Sequence, residues 1–136
     1  MLKRWLLRPL RDLDAISERQ GAVAHLVRAS RRLREVRASL KGLRDMERLS
    51  MQLSYGRANG RDLVAIGACL DRMPGLENLL CQGKNDLLGE LASGLSQLEE
   101  IRYTLQEALR EEQPLSIKEG KLFKPGYNSD LDVLLG

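Results

Sequence analysis

Leucine and other apolar residues return every three or four positions along nearly the whole chain. That spacing stacks them on one face of an α-helix and spoils the alternation a strand needs. The expected fold class is therefore all-α. Five aromatic residues (Trp5, Tyr55, Tyr103, Phe123, Tyr127) leave leucine to fill the interior, and 136 residues are enough chain for one domain, read here as 1–136. Trp5 is expected to anchor a first helix in the core. Apolar runs are only a few residues long, far short of the roughly 20 that cross a bilayer. The opening segment has charge but no apolar signal core. A cytoplasmic location with no membrane partner is the expectation.

Capping signals divide the chain. Asp12 can cap a helix with a buried stripe of Leu13, Ile16, Gln20, Val23 and Leu26 or Val27, and Ser30 can cap the next, which carries Leu33, Val36, Leu40 and Leu43. Asp45 precedes Met46, Leu49 and Leu53 in a shorter helix that stops at Tyr55–Gly60, where glycines and the Asn59-Gly60 pair permit a turn. Leu63, Ile66 and Leu70 follow on another helix, and Pro74 suits the start of a short one bearing Leu76, Leu79 and Leu80.

From Asn85 the three-to-four spacing persists through Leu87, Leu91, Leu95, Leu98, Ile101, Leu105 and Leu109, which predicts one long helix over 85–112. At 1.5 Å per residue that rod is roughly 40 Å long. Glu111 and Glu112 oppose the macrodipole at its end, so that end is expected either to fray or to be buffered by a basic neighbour. After Pro114 a brief alternation around Glu119-Gly120 predicts a small β-hairpin near the C-terminus, within 115–127, with Tyr127 packed where it meets the next helix. Asn128-Ser129-Asp130 can cap a final helix with Leu131, Val133 and Leu134, and the stop at Gly136 reads as a cut inside a longer protein.

Chemistry is sought and not found. Gly83-Lys84 lacks both the following Ser or Thr and the earlier glycine of a phosphate-binding loop. His25 is the single histidine, read as structural or exposed, and two cysteines twelve positions apart, Cys69 and Cys81, build no zinc site and are read as free thiols. Adjacent acids such as Glu99-Glu100 diverge around a helix. No catalytic, cofactor-binding or metal residues are assigned, and the chain is not read as an enzyme. Charge is uneven: residues 1–50 carry 13 Lys and Arg against 6 Asp and Glu, a net +7, and 51–136 carry 9 against 13, a net −4. The basic half is read first as a solvated helical face. The alternative is a stand-alone basic helical module that binds nucleic acid nonspecifically.

Three stretches carry a more specific signal. Leu2-Lys3-Arg4-Trp5-Leu6-Leu7-Arg8-Pro9-Leu10-Arg11-Asp12, the block from Asp45-Met46-Glu47-Arg48-Leu49 to Gly56-Arg57-Ala58-Asn59-Gly60-Arg61-Asp62-Leu63, and Gly120-Lys121-Leu122-Phe123-Lys124-Pro125-Gly126-Tyr127-Asn128-Ser129-Asp130-Leu131-Asp132 resemble successive blocks of the MutS family of DNA mismatch-repair ATPases, in order and spacing. The resemblance is to the first part of the core, or lever, domain and covers essentially the whole chain. It implies a multi-helical lever linking a DNA clamp to an ATPase domain. ATP and magnesium would be bound elsewhere in a parent that binds mismatched DNA, works as a homodimer, and is bacterial and nucleoid-associated. Partners would be the remaining clamp, connector and ATPase domains. Leu13 and Gly60 stand where many relatives have Pro, and the second change is expected to leave the 59–62 turn more flexible. Around that turn, Arg57, Arg61 and Asp62 are read as caps and charge partners first, and as a possible interdomain contact second. Surfaces covered by the rest of such a protein should be apolar and unpaired in this chain alone.

Overall fold

The structure, a computed structural model, describes residues 2–114 and 119–135. Its helices, in chain order, are α1 (Leu2–Leu7), α2 (Leu13–Arg28), α3 (Ser30–Lys41), α4 (Met46–Ser54), α5 (Gly60–Leu70), α6 (Met73–Cys81), α7 (Asp86–Ser96), α8 (Glu99–Ala108) and α9 (Ser129–Leu135). Side-chain caps set most of the starts. Asp12, Asp45, Asn59, Asn85 and Asn128 each accept a hydrogen bond from the N–H three residues on, at 2.8–3.0 Å. Each satisfies a donor that the first turn cannot pair internally. Ser30 does not cap α3: it is the first helical residue, and Ala29 stands at the cap position with no side chain to offer.

Packing is densest between α6 and α7, with α3 against α6 and α2 against both α3 and α7. A second group places α5 against α8 and α4 against α5. The core lies where the groups meet: Leu49 from α4, Ile66 and Leu70 from α5 and Met73 from α6, flanked by Leu43, Met46, Leu63, Leu95, Leu98 and Leu105. Leu49 is fully buried. Its neighbours come from helices far apart in sequence, so apolar burial holds the short elements together.

The single rod expected over 85–112 is two helices. The break falls at Gln97 and Leu98, where the Leu98 N–H bonds to Leu95 O, three residues back, at 3.1 Å. Just before it, the Ser93 hydroxyl donates to Glu90 O and the Ser96 hydroxyl to Ser93 O. Such local bonds compete with the helical ladder and bend it, and Gly94 between them adds no side chain to stiffen the turn. Leu95 and Leu98, on either side of the bend, both pack on the core. Glu111 and Glu112 fall beyond the end of α8, and the basic neighbour expected there is Lys124, whose ammonium donates to Gln106 O at 2.6 Å.

The hairpin is also corrected. The described residues contain no strand pair around Glu119-Gly120, and 115–118 lie outside them. Phe123 instead forms an isolated antiparallel bridge with Leu109. Arg110 N donates to Leu122 O, and Lys124 N to Ala108 O. The returning segment thus pairs with the end of α8, where carbonyls are left open by the helix stopping, and the Gln113 amide donates to both Arg110 O and Leu122 O to hold the loop. Tyr127 stacks on Phe123, ring centroids 5.7 Å apart.

Two apolar expectations are corrected. On α2 the residue buried is Ala22, while Leu13 is 78% exposed and Val23 and Val27 are exposed as well. Ile16 and Leu26 of the expected stripe are half-buried, and its other members lie outward. Trp5 is 52% exposed and anchors no core.

Candidate coupling surface at the α5 N-terminus and the α2–α3 junction

The turn leading into α5 brings part of the predicted trio together. Asn59 and Asp62 form a reciprocal capping box: the Asp62 N–H donates to Asn59 Oδ1 at 3.0 Å and the Asn59 N–H to Asp62 Oδ2 at 3.1 Å. Asp62 is therefore occupied by the backbone of its own turn. That box closes the turn that Gly60 was expected to loosen, and Gly60 is buried against Gln113 and Leu122, the space a larger residue would need. Arg61 Nε donates to Gln113 O at 3.4 Å, a long bond that ties the start of α5 to the loop after α8. Arg57 is exposed, and its side chain makes no hydrogen bond or ion pair with the described residues. The three residues share a turn but have separate partners: Asp62 caps, Arg61 is exposed and ties the loop, and Arg57 is exposed.

Two groupings escaped the sequence reading. Arg102 on α8 is mostly buried, bridges Glu99 at 3.3 Å and Asp71 at 4.0 Å, and lies 4.6 Å from the centroid of the Tyr103 ring. Asp71 also accepts from the Gln106 amide. The Glu99–Arg102 spacing of three was a legible signal; the long-range Asp71 was not. The second grouping surrounds Arg32, which the sequence places in the basic run Ser30–Arg34. Arg32 is only 6% exposed, one helical turn from buried Val36. Its neighbour Arg31 is fully solvated, and there the Glu35 carboxylate accepts from Nε at 2.9 Å and raises the guanidinium pKa above its ordinary value.

Among the described residues, no group of three or more His, Cys, Asp or Glu side chains is placed to hold a metal ion, and no helix is long and apolar enough to cross a membrane. Cys69 is a buried free thiol that accepts from the Arg44 N–H, and Cys81 is an exposed one.

The fold is a set of short α-helices, most of them capped, that leaves large apolar side chains exposed. The family model for MutS domain III matches residues 1–132. DNA mismatch repair proteins MutS from an Exiguobacterium strain, from Trichormus variabilis and from Methanosarcina acetivorans are 40%, 41% and 39% identical to the chain over 135, 131 and 137 residues, covering 99%, 96% and 98% of it. The chain belongs to the MutS family, through its domain III. It spans 15–16% of the length of those relatives.

Proposed function

We propose that this chain serves as the helical lever of a MutS-type DNA mismatch-repair protein, linking a DNA clamp to an ATPase domain, and that it carries no catalysis itself. In this reading the complete protein is a homodimer, holds ATP and magnesium in another domain, and binds mismatched duplex DNA in an ATP-dependent manner. The connector, clamp and ATPase domains are the lever's direct partners. The observation that carries the reading is the outward apolar set, with Leu13, Val23 and Val27 on α2, Met51 and Leu53 on α4, and Val133 and Leu134 on α9 all exposed. Large apolar side chains left uncovered on three helices are surface that neighbouring domains would cover. A capped, leucine-packed core beneath it keeps those faces in fixed relative positions, as a transmitting element requires.

The test is a graft. The chain replaces the matching segment of the Exiguobacterium relative, and binding to a mismatched duplex and ATP-triggered release are measured. The lever reading expects both to survive in the graft. It also expects a four-residue Gly-Ser insertion after Leu98 to preserve binding and hydrolysis while abolishing release. Release unaffected by that insertion refutes the reading.

A further inference from the structure

The junction of α2 and α3 holds a hollow that the lever reading does not use, lined by His25, Ala29, Ser30, Arg31, Arg32 and Gln82, with Glu35 at its edge. Arg32 is more than nine-tenths buried, yet its Nε and Nη2 have no hydrogen-bond partner. A charged fork withdrawn from water without a counter-charge is costly, and native proteins resolve such groups with a partner, a water or an ion. Among the described residues no carboxylate forms an ion pair with Arg32: Glu35, at the edge of the hollow, is bonded to Arg31 Nε at 2.9 Å.

The loop after α6 completes the hollow. Gly83 has φ +88°, and a Cβ built on it would stand 2.7 Å from His25 Nε2 and 3.2 Å from Arg32 Nη1, so the backbone approaches both side chains more closely than any other residue type allows. Guanidinium, imidazole and the Ser30 side chain thus line one hollow. A planar carboxylate has two oxygens and would meet one edge of the guanidinium, leaving the rest unused. A tetrahedral phosphate has acceptors enough for all three groups.

We infer that this hollow is a phosphate-binding site, with Arg32 as the principal ligand, His25 and Ser30 as auxiliary donors, and Gly83 as the residue that lets the loop close. Seating the ion requires a turn of the outer torsions of Arg32, which brings Nε and Nη2 onto the phosphate oxygens. The phosphate is either the free ion or a backbone phosphate of a nucleic acid, the chemistry being the same. The inference is independent of the lever reading, because it concerns only residues of this chain.

The full chain is titrated with sodium phosphate at constant ionic strength, and amide and Arg Nε–H resonances are followed by NMR. Saturable shifts are expected at Ser30, Gly83 and the Arg32 Nε–H. Arg32→Met removes the unpaired charge at similar volume, so it should melt no lower than the parent in phosphate-free buffer while binding phosphate at least about tenfold more weakly. Should that variant fail to fold, Ser30→Ala and His25→Gln each keep the charge and are expected to weaken binding severalfold. Adding a short duplex identifies the source: the same resonances shift, in competition with phosphate, when the backbone is the ligand, and stay still when the free ion is. A response that does not saturate by about 50 mM phosphate, one that acetate reproduces at equal concentration, or one that survives Arg32→Met intact overturns the inference.

Discussion

Leu49 and Leu53 lie one turn apart on α4, and the structure assigns them opposite energetic roles. Leu49 is completely buried among Ile66, Leu70 and Met73, whereas Leu53 is 51% exposed. Truncating a buried leucine loses its transfer free energy and leaves a cavity, together about 3–4 kcal/mol at a site ringed by side chains from three other segments. Against a stability of about 5–15 kcal/mol for a domain of this kind, Leu49→Ala removes a large fraction, and at roughly 3–5 °C per kcal/mol the melting temperature falls by about 10–15 °C. Leu53→Ala removes methyl groups already half in water and should cost less than about 1 kcal/mol. Thermal and urea melts of the 136-residue chain by far-UV circular dichroism measure both. Equal costs for the two variants, or a Leu49 cost below about 1 kcal/mol, would refute the assignment of the core to this cluster. The lever reading adds a second arm. Grafted into the complete relative, Leu53→Ala should destabilise more than it does in the chain alone, because a neighbouring domain then covers α4.

Other consequences follow from local geometry. Asn59→Ala removes one half of the capping box and should cost about 1 kcal/mol by urea denaturation, with Asp62→Ala adding much less than its own single cost because both report on one pair of bonds. Lys121 sits at φ +60°, so Lys121→Gly relieves about 1–2 kcal/mol of backbone strain and returns part of it as unfolded-chain entropy; a melting temperature equal to or above the parent's is expected, and a fall of several degrees contradicts it. Gly83→Ala combines a positive φ with a Cβ pressed on the His25 ring and should destabilise by about 1–3 kcal/mol, read in the same melts. Arg31→Ala breaks a solvent-exposed ion pair, so the melting temperature is expected to stay that of the parent.

Local signals were legible in the sequence and long-range ones were not. Asp12, Asp45 and Asn128 cap where their side chains predict, because a cap is a contact between residues three apart. Periodicity located most of the helices and the core residues Leu49, Ile66 and Leu70. On α2 it was right for half-buried Ile16 and Leu26 and wrong for exposed Leu13 and Val23, since a three-to-four stripe says which residues share a face but not how far the neighbours cover it. The pairing of Phe123 with Leu109 was hidden because a bridge between an irregular segment and a helix end has no period to detect. Arg32 was hidden for a related reason. A basic run looks uniformly solvated until the packing of α3 on α6 decides which of its arginines turns inward.

The break between α7 and α8 changes the physical basis on which such a domain could pass on a rotation. A continuous helix of the expected length would be stiff through its own hydrogen-bond ladder. Here the ladder is interrupted at Gln97 and Leu98, so stiffness across that point must come from side chains. Leu95 and Leu98 are seated on the same core cluster from opposite sides of the bend, and Arg102 reaches across to Asp71 at the end of α5. A close-packed interior is bistable rather than continuously deformable. The two helices are thus held at a fixed angle as long as Leu49, Leu70 and Met73 remain in place, and a bend stabilised by packing can switch angle as a unit where a rod can only tilt. On the lever proposal, Leu49→Ala in the grafted relative is therefore expected to weaken ATP-triggered release while binding to a mismatched duplex persists.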